Sequence, residues 1–169
     1  MNAPSTAPVL TAARPWLRAR SYAQFRVGNV YRHHWGRTLT EADAVLFSTA
    51  TLAFNPRYLN VEVARGEGHP GLVVNPYLVL AIVIGMSVED LSERSEAFLG
   101  LEDVRFLEPV HPGDTLTAES TVTAMRRSRS NPSRGIVSWR TEGRNQQAAV
   151  VVALTRSNLF RIEPDDASE

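Results

Sequence analysis

An apolar stretch over residues 72–88 constrains the fold of this chain more than any other feature of the sequence. Asn75 and Pro76 suit the N-cap and the first position of a helix, so the pattern predicts a helix over residues 77–91. The stretch is short for a membrane span. A helix that is apolar almost all round must be buried, so we expect the rest of the domain to enclose it.

The second half of the sequence has the pattern of an antiparallel sheet. Within residues 115–126, apolar Leu116, Ala118 and Val122 alternate with polar residues, which is the period of a half-buried strand. Further strands are predicted over residues 104–110, 135–143 and 148–161. A sheet wrapped around one buried helix satisfies both patterns, so the expected fold class is α+β.

The first half of the sequence predicts shorter elements. Residues 27–39 have the pattern of a strand pair or one bent strand. Thr40 suits an N-cap, and Asp43 three residues later completes a capping box. Apolar residues then recur at helical spacing, which predicts a helix over residues 41–52.

The length of 169 residues is that of one domain. We expect this domain to occupy residues 21–163. Residues 1–20 are rich in Ala, Pro and Thr and lack the apolar core of a signal peptide, so a flexible tail is predicted there. Residues 164–169 are predicted to form an acidic tail.

Composition excludes several kinds of chemistry. The net charge is zero, which argues against nucleic-acid or anionic-membrane partners. All 18 basic residues are arginine, so lysine Schiff bases and a P-loop lysine are excluded. Cysteine is absent, which removes thiolate nucleophiles and cysteine-based zinc sites and is compatible with a cytoplasmic location. Histidines, carboxylates and tyrosines remain as acids and bases, and no cofactor is expected.

Five segments together resemble the MaoC-like family of (R)-specific enoyl-CoA hydratases and dehydratases, closest to its mesaconyl-CoA and β-methylmalyl-CoA branch. These segments are VGNVY at 27–31, WGRTLTEAD at 35–43, GMSVEDL at 85–91, VHPGDTL at 110–116 and GIV at 135–137. The resemblance implies a hotdog fold, in which an antiparallel sheet wraps a long central helix. It also implies dimers with active sites between protomers, and acyl thioesters of CoA or a carrier protein as ligands.

The resemblance also locates the catalytic segment, where this chain departs from the family pattern. The family has Asp-x-Asn-Pro-x-His, and this chain has AFNPRY at residues 53–58. Ala53 stands at the Asp position and cannot take a proton, while Tyr58 stands at the His position, and a phenol is a poor base at neutral pH. The family uses a backbone N–H at the start of the central helix to bind the thioester oxygen. Pro76 follows Asn75 at that position, and proline has no N–H.

Four residues are the candidates for catalysis, each with a simpler structural alternative. Tyr58 would donate a proton or a hydrogen bond to a carbonyl, or else fill space in an inactive pocket. Asn55 would contact substrate or hold the local turn. Asn75 would offer its amide to the thioester oxygen or only cap the helix. His69 would replace the missing histidine or lie in a surface loop.

Arginines between two predicted strands are the candidates for binding the carrier. Arg126, Arg127 and Arg129, with Arg134 beyond them, bracket a Ser/Asn/Pro loop. They would clamp the phosphates of CoA or phosphopantetheine, a task that suits arginine, or else form a solvated hairpin tip.

The other histidines carry no predicted chemistry. His33 and His34 are adjacent in a predicted strand and should face opposite sides. They lack the spacing and the third ligand of a zinc site, so no metal is predicted. His111 precedes Pro-Gly-Asp and should build a tight turn.

Three functions remain open from the sequence. The first is a hydratase or dehydratase, a lyase acting on an enoyl thioester of CoA or a carrier protein with a rebuilt site. The second is another conjugate addition, or a cyclisation, on such a thioester. The third is a catalytically inactive thioester-binding subunit. In each case we expect at least a homodimer, because hotdog sheets usually continue across a two-fold axis and an exposed edge strand needs cover.

Overall fold

The computed structural model describes residues 18–163, so the predictions for residues 1–17 and 164–169 lie outside the described part. Within it, six strands form one antiparallel sheet: β1 (Val30–Arg32), β2 (Arg37–Thr38), β3 (Ala97–Phe106), β4 (Thr115–Arg127), β5 (Arg134–Arg144) and β6 (Val150–Arg161). Neighbouring strands follow the order β1-β4-β5-β6-β3, and β2 also pairs with β4. The predicted α+β fold class is confirmed, and residues 27–39 contain two short strands that pair one after the other with β4.

Three α-helices precede most of the sheet: α1 (Glu41–Ala50), α2 (Val61–Gly66) and α3 (Pro76–Ser87). The predicted capping box is present, because Asp43 N donates to Thr40 Oγ1 at 3.2 Å and Thr40 N donates to Asp43 Oδ2 at 3.0 Å. The hydrogen bonds that Asp43 accepts from Thr40 also hold the pKa of its carboxyl below the usual range.

Helix α3 is the central helix of a hotdog fold, as the resemblance implied. Its buried side, with Val79, Val83 and Met86, packs into the largest core cluster together with residues of β4 and β6. At Gly143 of β5, a Cβ would collide with the side chain of Val83. The sheet therefore approaches α3 closely enough to require glycine at that point.

Two features of α3 differ from the prediction. The regular helix ends at Ser87, and residues Val88–Ser92 form a π-helical turn that brings Asp90 into the interior. The helix is also enclosed on one side only, since Tyr77 is 64% exposed and Ala81 and Gly85 are exposed on the same helix. The apolar outer face that the sequence predicted to be buried is therefore uncovered in a single chain.

Strand β3 corrects the predicted strand over residues 104–110. The strand begins at Ala97 and ends at Phe106, and its pairing with β6 shifts register twice. Asp103 has a φ of 50°, which breaks the alternation of side chains that sequence patterns rely on. Pro109 has no N–H to donate to a ladder, so the backbone leaves the sheet soon after Phe106.

The start of the described chain is attached to the C-terminal end of α3. Ala19 N donates to Glu89 O at 3.0 Å, and Arg20 Nη1 donates to Asp90 O at 2.8 Å. These residues belong to the segment for which the sequence predicted a flexible tail. Among residues 18–163, no helix has the length and apolarity to cross a membrane.

Candidate active site

A cavity of about 280 Å³ lies beside the N-terminal end of α3. Most of its wall is apolar and comes from the segment before α3, from α3 itself, and from the chain that follows β3. Four side chains in the wall are polar or ionisable: Arg57, Tyr58, His69 and Glu108. An apolar cavity with a few convergent polar groups is the usual form of a small-molecule site.

Tyr58 reaches the cavity from a short 3₁₀ turn, Pro56–Tyr58, which Asn55 holds in place. The Asn55 Oδ1 atom accepts from Arg57 N at 3.2 Å, and Tyr58 N donates to Asn55 O at 3.0 Å. Asn55 therefore builds the turn and is absent from the cavity wall. The Tyr58 side chain is half-buried, and its hydroxyl makes no hydrogen bond within the described residues, so it is free to meet a ligand.

His69 lines the same cavity, so the structure brings two of the predicted site residues together. Its ring centroid lies 5.3 Å from that of His111. His111 Nδ1 lies 2.9 Å from Leu72 O and must donate to it, which fixes the orientation of the His111 ring against His69. His111 also builds the predicted turn, because its N–H donates to Asp114 Oδ2 at 2.8 Å.

The start of α3 offers no N–H from its first turn to a thioester oxygen. Pro76 has none, and the Tyr77 N–H donates to Asn75 Oδ1 at 3.0 Å. The next two N–H groups, of Leu78 and Val79, donate to Asn75 O at 2.9 and 3.3 Å. Asn75 is buried and caps the helix as predicted, and it is not part of the cavity wall. A carbonyl bound in the cavity must therefore find its hydrogen-bond donor outside the first turn of α3.

Arg57 and Glu108 are cavity residues that the sequence did not single out. Arg57 precedes Tyr58 directly, but a guanidinium is a poor proton carrier, so the search for acids and bases does not point to it. Glu108 lies within the predicted strand over residues 104–110, so its side chain was not expected at a cavity. Pro109 is the residue that could have indicated an earlier end of this strand. Within the described residues, the Glu108 carboxylate makes no hydrogen bond or ion pair.

The arginines proposed to bind phosphate lie elsewhere on the same chain. Arg126 pairs with Ile136 of β5, which pairs with Leu159 of β6. The cavity touches β6 at Val151, roughly 25 Å away along the strand at ~3.3 Å per residue. Arg126 lines a separate groove on the sheet, and Arg127 Nη1 donates to Pro132 O at 3.0 Å within the hairpin that also carries Arg129. A ligand in the cavity would meet these arginines only through a long carrier arm or from a second copy.

A second polar cluster lies at the opposite, C-terminal end of α3. His33 Nδ1 is 2.6 Å from Asp90 Oδ2, and His33 Nε2 is 2.9 Å from Ser120 Oγ. Ser120 Oγ in turn lies 2.8 Å from Thr141 Oγ1. The order Asp-His-Ser is that of a hydrolase triad, but Ser120 is 0% exposed and His33 6%. No substrate reaches this serine in the folded chain.

Burial dominates the electrostatics of this second cluster. Desolvation lowers the pKa of His33, against the hydrogen bond and charge of Asp90, which raise it. Arg156, on β6 beside the cluster, is 2% exposed and donates from Nη2 to Ser87 Oγ at 3.0 Å. Burial lowers the pKa of Arg156 to about 10, so it stays charged at neutral pH. His34, next to His33, is exposed, so the two face opposite sides as predicted.

The family of the chain follows from comparison with known proteins. A family model described as mesaconyl-CoA hydratase matches residues 5–167. This chain belongs to that family. The mesaconyl-CoA hydratase of Haloarcula marismortui is 38% identical over 142 residues, which are 83% of this chain and 40% of that protein. The chain thus spans less than half the length of this curated relative.

Solved structures agree with this assignment. A putative MaoC domain protein dehydratase from Chloroflexus aurantiacus has a TM-score of 0.82 and 29% identity, covering 89% of this chain and 42% of that one. A Mycobacterium tuberculosis protein described as a double hotdog fold has a TM-score of 0.75 at 23% identity, covering 86% and 45% of the two chains. The second likeness confirms the hotdog fold alone.

Proposed function

We propose that this chain is a hydratase or dehydratase that adds water to, or removes it from, an enoyl thioester of CoA such as mesaconyl-CoA. The observation that carries the proposal is the cavity at the start of α3, whose wall contains His69 and Tyr58, a tyrosine whose hydroxyl makes no hydrogen bond within residues 18–163. Tyr58 stands where the family has its catalytic histidine. The names of the family model and of its curated relative support the substrate class.

The reaction assigns a separate task to each of these side chains. His69 accepts a proton from water as the oxygen bonds to the β-carbon of the double bond. Negative charge then develops on the thioester oxygen, and the Tyr58 hydroxyl donates a hydrogen bond to it in place of the backbone N–H that Pro76 lacks. The proton that His69 took from water is finally delivered to the α-carbon, which returns His69 to its starting state and adds one whole water to the double bond. Because this addition neither oxidises nor reduces the acyl group, it needs no redox cofactor.

Product mass spectrometry tests the proposal directly. The purified chain is incubated with mesaconyl-CoA, and a product heavier by one water should form at a turnover rate of roughly 1 per second or faster. Crotonyl-CoA should react far more slowly, since it lacks the free carboxylate that mesaconyl-CoA carries. Absence of any hydrated product from mesaconyl-CoA would favour the inactive-binder interpretation.

We also propose that two copies of the chain form a homodimer through surfaces that a single copy leaves uncovered. Beside the outer face of α3, the edge strand β3 exposes large apolar side chains, among them Phe98 at 54% and Phe106 at 42%. The curated relative, more than twice as long, has room for a second such domain. Light scattering should give twice the 18.7 kDa mass of the chain at micromolar protein, and a particle of 18.7 kDa would contradict the dimer.

A further inference from the structure

We propose that Arg57 binds a carboxylate at the far end of the acyl group, so that this site selects monothioesters of dicarboxylic acids. The inference rests on the proposed function and adds a specificity-determining residue to it. Arg57 is the only arginine among the described residues that line the cavity. Mesaconyl-CoA carries one free carboxylate, whereas crotonyl-CoA carries none.

The backbone of Arg57 is fixed on both sides, as a recognition residue requires. Its N–H donates to the Asn55 cap, and its C=O accepts from Val73 N at 3.1 Å. The residue after the turn adds a further bond, since Asn60 N donates to Pro56 O at 2.8 Å. The turn therefore holds Arg57 and its neighbour Tyr58 in a constant relation at the cavity wall, one for binding and one for chemistry.

In the guanidinium, the Nε atom faces a carboxylate of the same chain, and the two Nη nitrogens remain as donors for a ligand. Its Nε atom is buried and lies 3.1 Å from Glu67 Oε2, an ion-pair contact that does not form a hydrogen bond within the described residues. Neither Nη nitrogen makes a hydrogen bond within residues 18–163. Paired N–H groups of arginine match the two oxygens of a carboxylate, so the remaining donors suit that group better than any neutral part of an acyl chain.

Glu108 explains why a cation is needed for such a substrate. Its carboxylate is the other formal charge in the same wall, and the remaining lining is largely apolar. Without Arg57, a dicarboxylic substrate would bring a second negative charge into a cavity that is already negative. Glu108 and Arg57 should consequently act on the affinity for such a substrate in opposite directions.

Equilibrium binding of succinyl-CoA and butyryl-CoA tests the proposal without depending on catalysis. Both carry four-carbon saturated acyl groups, and only succinyl-CoA ends in a carboxylate. The wild-type chain should bind succinyl-CoA about tenfold or more tightly than butyryl-CoA, the worth of a charge-assisted hydrogen bond. Arg57→Gln should abolish this preference. The control Arg65→Gln should keep it, since Arg65 pairs with Glu62 at 3.0 Å outside the cavity. Glu108→Gln should widen it.

Each other outcome would overturn the proposal in a recognisable way. If Arg57→Gln weakens both thioesters equally, the guanidinium binds the CoA part and not the acyl carboxylate. If the wild-type chain shows no preference, or Glu108→Gln loses it, the carboxylate is not bound by Arg57. If the wild-type chain binds neither thioester, the proposed function itself fails, and the mass-spectrometric test should then show no product either.

Discussion

The two ends of helix α3 have similar side chains nearby, but those at one end are buried and those at the other border a cavity. At the C-terminal end, His33, Asp90 and Ser120 are buried and bonded to one another. At the N-terminal end, Tyr58 and His69 border an open cavity, and the Tyr58 hydroxyl makes no hydrogen bond within the described residues. Each end therefore has a histidine and a hydroxyl, but within the described residues only the pair at the N-terminal end borders a cavity.

Residue type alone therefore does not identify which of the two clusters carries the chemistry. The cluster with the residues of a hydrolase triad is held by hydrogen bonds that connect the end of β1, β4 and β5 to the turn after α3. The cluster that lacks the family's Asp and His leaves polar groups unsatisfied at a cavity, which is where a ligand can satisfy them. We assign stability to the first cluster and chemistry to the second.

The largest expected effect follows from removing Asp90. In Asp90→Ala, the buried His33 loses its Nδ1 partner and Arg20 loses a carboxylate 3.8 Å away. Losing the largely buried Asp90–Arg20 ion pair together with the hydrogen bond to His33 should cost about 3–5 kcal/mol, which urea denaturation would measure. The matched control is Glu93→Gln, whose exposed pair with Arg18 should contribute at most about 1 kcal/mol. Equal effects of the two substitutions would remove the distinction between the clusters.

At the other end of α3, Tyr58→Phe removes a hydroxyl and keeps the ring. Turnover of mesaconyl-CoA should fall by roughly a hundredfold or more, the typical cost of losing one hydrogen-bond donor to the oxyanion. The free energy of unfolding should stay within about 0.5 kcal/mol of wild type, because no hydrogen bond of the described residues is lost. Full activity of this variant would place the chemistry on another residue, and His69 would be the next to test.

A smaller effect should appear as pH dependence of stability. Because burial holds the pKa of His33 below 6.5, the unfolded chain takes up this proton before the folded chain does. The free energy of unfolding should therefore fall as pH drops below about 6.5, by at most ~1.4 kcal/mol per pH unit from this group. Denaturation series between about pH 5 and 8 would measure it. His33→Gln should lose this part of the acid sensitivity; an unchanged pH profile would show that another group causes it.

Local patterns predicted much of the fold. The capping box at Thr40 and Asp43 and the cap at Asn75 involve residues close in sequence, and both are present. The bulged strand β3 escaped prediction because its backbone irregularities, such as that at Asp103, destroy the alternation of apolar residues. The apolar sequence of α3 predicted that its outer face is buried. Hydropathy does not tell whether the same chain or another one buries that face.

For the candidate site, the family resemblance was needed to single out Tyr58, and the structure was needed to place His69 beside the same cavity. Arg57 was not predicted as a site residue, because a guanidinium is a poor proton carrier and a search for acids and bases does not include it. The buried cluster was beyond prediction, since its hydrogen bonds join residues 57 and 87 positions apart. Nothing in the local sequence of His33 indicates either partner.

The turnover of Ser120→Ala per folded molecule tests most directly which end of α3 carries the chemistry. This substitution deletes the hydroxyl that the apparent triad would need and leaves the cavity residues untouched. We predict that the free energy of unfolding falls by about 1–3 kcal/mol, the cost of a buried group left without its partner. Turnover of mesaconyl-CoA by the folded fraction should stay within about twofold of wild type, since a surface-inaccessible serine takes no part in the reaction. A folded but inactive Ser120→Ala protein, beside an active Tyr58→Phe protein, would show that the chemistry belongs to the other end of α3.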